Sequence, residues 1–266
     1  MIALVWLFLR QEMRFNFRSP LSYLVQLVLA VVSLSIYWFT SQALTGLHVE
    51  WGGGDYFSYL VIGEIALILP LAICHSFILA IRVFAYEALL DELLLSPRSP
   101  LLNFSLFSLA ILARAVLQVV LTILLAQIFF GFSFKWAQLG GFLILQSAAV
   151  PMFLALAWFA GSVFLKFGRG EGMLNHLLEI LTVFAGAYFP LTVLPSAIRK
   201  ALESLSPFAR FLEAVRQVFA GDLTHLWASA LTMGLVGVSC ATIAWLTFHL
   251  SVESLRRSGA PNFSHS

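Results

Sequence analysis

Long apolar stretches separated by short polar breaks dominate the chain. Six of them reach the roughly 20 residues that a helix needs to cross the hydrocarbon core of a bilayer. They are Ser22 to Leu44, Tyr56 to Ile81, Phe104 to Phe132, Ala137 to Leu165, Gly172 to Leu194 and Leu226 to Leu250. The first, fourth and sixth hold no charged residue; the second holds Glu64, the third Arg114 and the fifth Glu179. The stretches are too long for barrel strands and lack strict alternation. The pattern predicts an all-α integral membrane protein with six transmembrane helices in one transmembrane domain over residues 1–266.

Three segments break the spanning pattern. In residues 2–19, Arg10, Arg14 and Arg18 recur every fourth position, which stacks them along one helical face. Trp6, Leu7, Met13, Phe15 and Phe17 provide apolar surface elsewhere, so the segment (1–20) reads as an amphipathic helix lying in the interface, or as a basic flank. In the segment 82–103, Glu87, Asp91 and Glu92 form an acidic side and Leu89, Leu90, Leu93 and Leu94 an apolar one. Ser96-Pro97-Arg98 and Ser99-Pro100 end that helix. Its acidic face suits either a docked partner or solvent. The segment 195–221 holds two short amphipathic pieces, opened by Pro195 and Pro207, as first-turn prolines do. Phe208, Phe211, Leu212, Val215 and Val218 share one face of the second piece, with Arg210, Glu213 and Arg216 placed off it. Each piece is too short to span, which predicts a re-entrant or surface-lying helix pair.

Orientation follows from the basic residues. With the N-terminus in the cytoplasm, ten Lys and Arg lie inside and five outside, four of the five in the segment 195–221. This predicts both termini in the cytoplasm. The N-terminal apolar run precedes its arginines, the reverse of a signal peptide, and is expected to stay in the mature protein.

Composition agrees with this picture. Hydrophobic residues make up 61% and charged residues 11% of the 266, against roughly a quarter charged in a soluble domain. The mean hydropathy is +0.94. A net charge of +2 carries no nucleic-acid signature. Cys74 and Cys240 fall inside apolar runs and read as core-packing thiols. The 25 phenylalanines are explained by lipid-facing surface.

Soluble catalytic chemistry finds no motif. No G-x-x-x-x-G-K, H-E-x-x-H or G-x-S-x-G occurs. No catalytic, metal or cofactor residues are therefore assigned. Charge inside a membrane is costly and tends to face protein or water. Glu64, His75 and Glu179 are thus candidate pathway residues, with paired or packed polar groups as the plainer reading, and Phe189 and Pro190 join them at the end of the fifth stretch.

The order of these parts resembles the membrane subunits of ABC-type exporters of the second permease class. The matching residues are Arg18-Ser19-Pro20 before the first stretch, the Glu87 to Arg98 segment ending in Ser-Pro, Ala187 to Pro190 through Leu194-Pro195, and Ser206-Pro207 through Glu213-Ala214-Val215-Arg216. The resemblance implies a permease of a bacterial-type cytoplasmic (inner) membrane that is not itself an enzyme and exports an amphipathic or lipid-like substrate. ATP and Mg would sit on two copies of a cytoplasmic ATP-binding subunit, and a second permease copy, identical or related, would complete the pathway. It also implies that Glu87, Leu90, Asp91, Glu92, Ser96, Pro97 and Arg98 contact the ATPase, as a coupling helix. Two alternatives from the residues alone are an ion-coupled secondary transporter or channel, and a lipid-acting membrane enzyme.

Overall fold

The structure, a computed structural model, describes residues 20–43, 55–86, 99–167 and 171–258. The basic N-terminal segment with Arg10, Arg14 and Arg18 lies outside these residues, as does the acidic stretch from Glu87 to Arg98. Among the described residues there are eight α-helices and no strand. They are α1 (Pro20–Ala43), α2 (Tyr56–Tyr86), α3 (Pro100–Phe130), α4 (Leu139–Phe167), α5 (Glu171–Phe184), α6 (Ser196–Leu205), α7 (Pro207–Ala220) and α8 (Leu226–Ser258). Four of these helices are long and apolar enough to cross a membrane, over Leu24–Ala43, Tyr56–Phe84, Trp136–Lys166 and Leu226–Arg257. The chain is an all-helical, multi-pass membrane protein.

Proline and glycine set several of the boundaries. Pro100 and Pro207 occupy the first turns of α3 and α7, where a missing N–H costs nothing. Gly221 closes α7 with φ +95°, a left-handed conformation that a side chain would strain. The fifth apolar stretch was expected to be helical from Gly172 to Leu194, but α5 stops at Phe184. Gly186, with φ +81°, turns the chain there, and Pro190 prevents a return to the same helix.

The core is built around α2, α4 and α8, which run parallel. Gln146 of α4 lies at the level of Ala66, Cys74 at that of Phe153, and Gly161 against Phe77. Phe77 in turn meets Phe248 of α8, with ring centroids 5.8 Å apart. Farther up, Gly237 of α8 packs so closely on Met152 that an added Cβ would stand 2.8 Å from its backbone nitrogen. α3 runs the opposite way, pairing Phe130 with Phe57 at one end and Phe104 with Phe77 at the other. Lipid tails are as apolar as the helices, so close packing rather than water exclusion holds such a bundle together. Edge-on aromatic contacts supply part of it, each contributing about 0.5–1.5 kcal/mol beyond area burial. At least twelve of the 25 phenylalanines are buried, so lipid exposure does not account for their number.

Pro70 interrupts the backbone ladder of α2 and releases the carbonyl of Ala66, four residues earlier. The side-chain amide of Gln146 donates to that oxygen across the helix interface, at 2.9 Å. Gln146 is itself buried, so a proline in one helix and a glutamine in its neighbour satisfy each other's polar groups.

α7 is antiparallel to α4 and covers only half of it. Phe219 meets Phe142 near the start of α4, and Phe208 and Phe211 meet Phe153 at its midpoint. The corner at Ser206-Pro207 therefore lies ~18 Å along α4 from Gly141, at 1.5 Å per residue. The α6–α7 pair penetrates to the middle of the bundle and turns back. Ser206 caps the corner by accepting from the Ala209 amide.

Candidate functional site

The turn that ends α5 is tied down by side chains from two other helices. Its carbonyls have lost their helical partners, so each needs a donor. Tyr59 Oη of α2 donates to Gly186 O at 2.7 Å, and Tyr56 Oη donates to Tyr188 O at 2.5 Å. Arg216 Nη2 of α7 donates to Gly186 O at 2.8 Å and to Ala187 O at 3.3 Å. The guanidinium also lies over the Tyr59 ring, 3.6 Å from its centroid, a cation–π contact worth about 2 kcal/mol when desolvated. Gly63 makes room for this arrangement: a Cβ there would stand 3.0 Å from both Ala187 O and Arg216 Nη2.

Arg216 was placed on the polar side of its helix from sequence, but only 5% of it is exposed. The physical reason is that carbonyl cluster, which compensates the buried guanidinium with hydrogen bonds. A signal was available in the spacing: Phe208, Leu212 and Phe219 form an i, i+4, i+11 stripe that passes through position 216.

Below the turn opens a cavity of about 1180 Å³. Met152, Ala155, Leu156 and Phe159 of α4 and Val236, Cys240 and Ile243 of α8 form an apolar wall. Facing them are Arg210, Glu213, Arg216 and Gln217 of α7, with Arg199 of α6 and Asp222 beyond it. Ser229 and Thr232 extend the polar lining onto the start of α8. Asp222 accepts from the Thr224 amide at 2.9 Å, and the Thr224 hydroxyl and amide hold its carboxyl below the ordinary value of 3.8. The volume slightly exceeds the about 300–1,000 Å³ of small-molecule sites, and the mix of apolar wall and polar rim is typical of them. Cys240 was expected to be a packed core thiol; it is exposed in this cavity, whereas Cys74 is buried and directs its thiol at Phe153 O.

The five candidate pathway residues do not converge. Pro190 lines the cavity and Phe189 sits beside it in the turn. Glu64 stands on α2, half-buried, and is not among the residues that line the cavity. Its Oε2 has no hydrogen-bond donor among the described residues. His75 is exposed on the surface of α2. Glu179 is exposed on α5 and approaches His176 Nδ1 at 3.3 Å, a surface i, i+3 pair. No group of three or more His, Cys, Asp or Glu residues suited to a metal ion occurs among the described residues. Neither the protein-family models nor the curated proteins include a match to this chain.

Proposed function

We propose that the chain is the permease subunit of an ATP-binding-cassette exporter, moving an amphipathic or lipid-like substrate out of the cytoplasm or the inner leaflet. The observation that carries this reading is the cavity: a half-apolar, half-polar space set within a membrane bundle and closed on one side by a helix pair that penetrates only to its middle. Charged side chains at that depth are costly and tend to face protein or water, as those around this cavity do. In this reading the protein has six spans, α5 and the turn after it forming the fifth, with both termini cytoplasmic. ATP would be hydrolysed on a separate subunit, and alternating access would follow from nucleotide-dependent populations of two states. The acidic segment from Glu87 to Arg98 would dock that subunit, and the interface helix with Arg10, Arg14 and Arg18 would brace it. A second permease copy would complete the pathway; the exposed apolar flanks of α1 and α8, including Leu29, Phe39, Leu231 and Leu235, leave surface for it.

The test is a mild-detergent pull-down of the tagged protein from its native membranes, with co-purifying subunits identified by mass spectrometry. A stoichiometric soluble ATPase, lost when Glu87, Asp91 and Glu92 are changed to Lys, is the expected result. Recovery of the protein alone from membranes where it is active overturns the reading. The second reading, an ion-coupled transporter, then takes its place, favoured by the unsatisfied Glu64 Oε2 in α2.

A further inference from the structure

The cavity is graded along its length. Ser229 to Ala244 of α8 covers about 22 Å of it. Phe219 stands at Phe142, Phe208 at Phe153 and Gly237 at Met152. The stretch of α7 from Arg210 to Gln217 therefore lies beside Ser229 to Val236 of α8. Beyond the Ser206-Pro207 corner α7 no longer covers the wall. There α4 and α8 continue it with Leu156, Phe159, Ile243 and Ala244, all uncharged. Phe159 and Ile243 are more than half exposed. One end is suited to a polar head and the other to an alkyl chain.

The charges at the polar end disfavour an ionic head of either sign. Arg216 is committed to Gly186 O, Ala187 O and the face of Tyr59. Arg199 and Arg210 each already have an interaction partner. An anion would thus meet Glu213 and Asp222 with no cation set aside for it. A cation at Glu213 would stand one helical turn from Arg210 on one side and from Arg216 on the other.

The capacity left over is for accepting hydrogen bonds. Glu213 accepts from Gln217 Nε2 through Oε1 at 3.3 Å, and among the described residues its Oε2 accepts nothing. Gln217 spends a donor on that bond and keeps its own carbonyl oxygen. Thr232 Oγ1 donates to Ala228 O and Ser229 O, which leaves its lone pairs. Neutral hydroxyl groups match such a rim: they donate to it without bringing a charge, and a bond to a carboxylate is about twice as strong as a neutral one.

We propose that this cavity binds an uncharged amphipath whose head carries several hydroxyl groups, as an alkyl glycoside does. The hydroxyls lie at Glu213, Gln217 and Thr232, and the chain runs along the α4–α8 wall past the corner. The inference deepens the exporter reading by naming the substrate class of the same cavity, and rests on it only for transport.

Cys240 reports on occupancy, because it is exposed in the cavity while Cys74 is buried. The experiment measures the rate of Cys240 alkylation by N-ethylmaleimide, an uncharged reagent, in full-length protein in phosphatidylcholine nanodiscs. Decyl glucoside, decyl methyl ether, decyl phosphate, decyltrimethylammonium and glucose are added in turn, below the concentrations that dissolve the disc. Decyl glucoside should slow the reaction and glucose should not. The ether, the phosphate and the ammonium should each need about tenfold more for half-protection, the value of one hydrogen bond to a charged group. Glu213→Gln should raise the half-protecting concentration of the glucoside about tenfold and leave that of the ether unchanged. Equal protection by the ether or by either ion, protection by glucose alone, no protection by the glucoside, or an unchanged glucoside value in Glu213→Gln overturns the proposal. The ATPase pull-down is indifferent to each of these results, so the two readings fail separately.

Discussion

Arg216 and Gln146 do the same work at different places: each supplies a side-chain donor to a backbone carbonyl that the chain's own geometry has orphaned. Replacing Arg216 with Leu takes the side-chain donor from Ala187 O and leaves Gly186 O with Tyr59 Oη alone, and one unsatisfied buried group costs about 1–3 kcal/mol. Thermal unfolding in detergent should show a lowered midpoint, and Arg216→Lys should recover only part of it, because an ammonium cannot reproduce the planar stack on Tyr59. Gln146→Leu should cost about 0.6 kcal/mol and at most about 1.7 kcal/mol, the average and maximum for side-chain bonds within membranes. Pro70→Ala restores a backbone N–H for Ala66 O, so the Gln146→Leu penalty should shrink in that background. An unchanged penalty in the double-mutant cycle would mean that the glutamine acts through packing. Asp222 gives a pH-dependent counterpart outside the spans. Its carboxyl is depressed by the Thr224 donors, so its contribution is present above the ordinary carboxylate value and is lost as pH falls through the folded one. Melting curves of the wild type should therefore lose more stability on acidification below about pH 4 than those of Asp222→Asn.

Among the helices, close approach governs α8. Gly237→Leu should push α8 away from α4 and destabilise the protein by about 1–3 kcal/mol, as overpacking does. Gly234→Ala, one turn away on the same helix, meets open space, so the better helix propensity of alanine should leave stability unchanged or raised. A similar loss at both positions would show that the helix itself, and not its contact with Met152, is sensitive. Pro207 was legible in the sequence as the start of α7, whereas Pro100, read there as the end of the preceding segment, begins α3 four residues before the expected Phe104. The end of α5 was less legible. The stretch to Leu194 stays apolar throughout, and hydropathy carries no information on the turn that Gly186 and Pro190 impose. The short helix pair was legible from its amphipathic spacing, but its depth was not, because depth comes from the pairing of Phe208 with Phe153, a long-range contact.

For the molecule as a membrane body, the site was legible only in fragments. Single charges inside apolar runs drew attention to Glu64 and Glu179, which the fold places away from the cavity. The cavity's own polar residues lie in α7, which looks like an ordinary amphipathic surface helix when read alone. Its functional face becomes visible only when α4 and α8 are set opposite to it. The same arrangement makes a simple labelling prediction. N-ethylmaleimide should modify the folded protein at one cysteine, Cys240, and reach Cys74 only after denaturation, as peptide mass mapping would check.

The parallel pairing of α4 with α8 also bears on biogenesis. Parallel neighbours cannot be joined by a tight turn, and here the excursion through α5, α6 and α7 lies between them. Met152 is synthesised 85 residues before Gly237, so at ~5–20 residues per second α4 waits on the order of ten seconds for its partner. During that interval the face carrying Pro151 and Met152 stands without α8. A ribosome stalled before Leu226 would leave that face uncovered in the membrane, and such nascent chains should be the ones that membrane quality-control proteases remove.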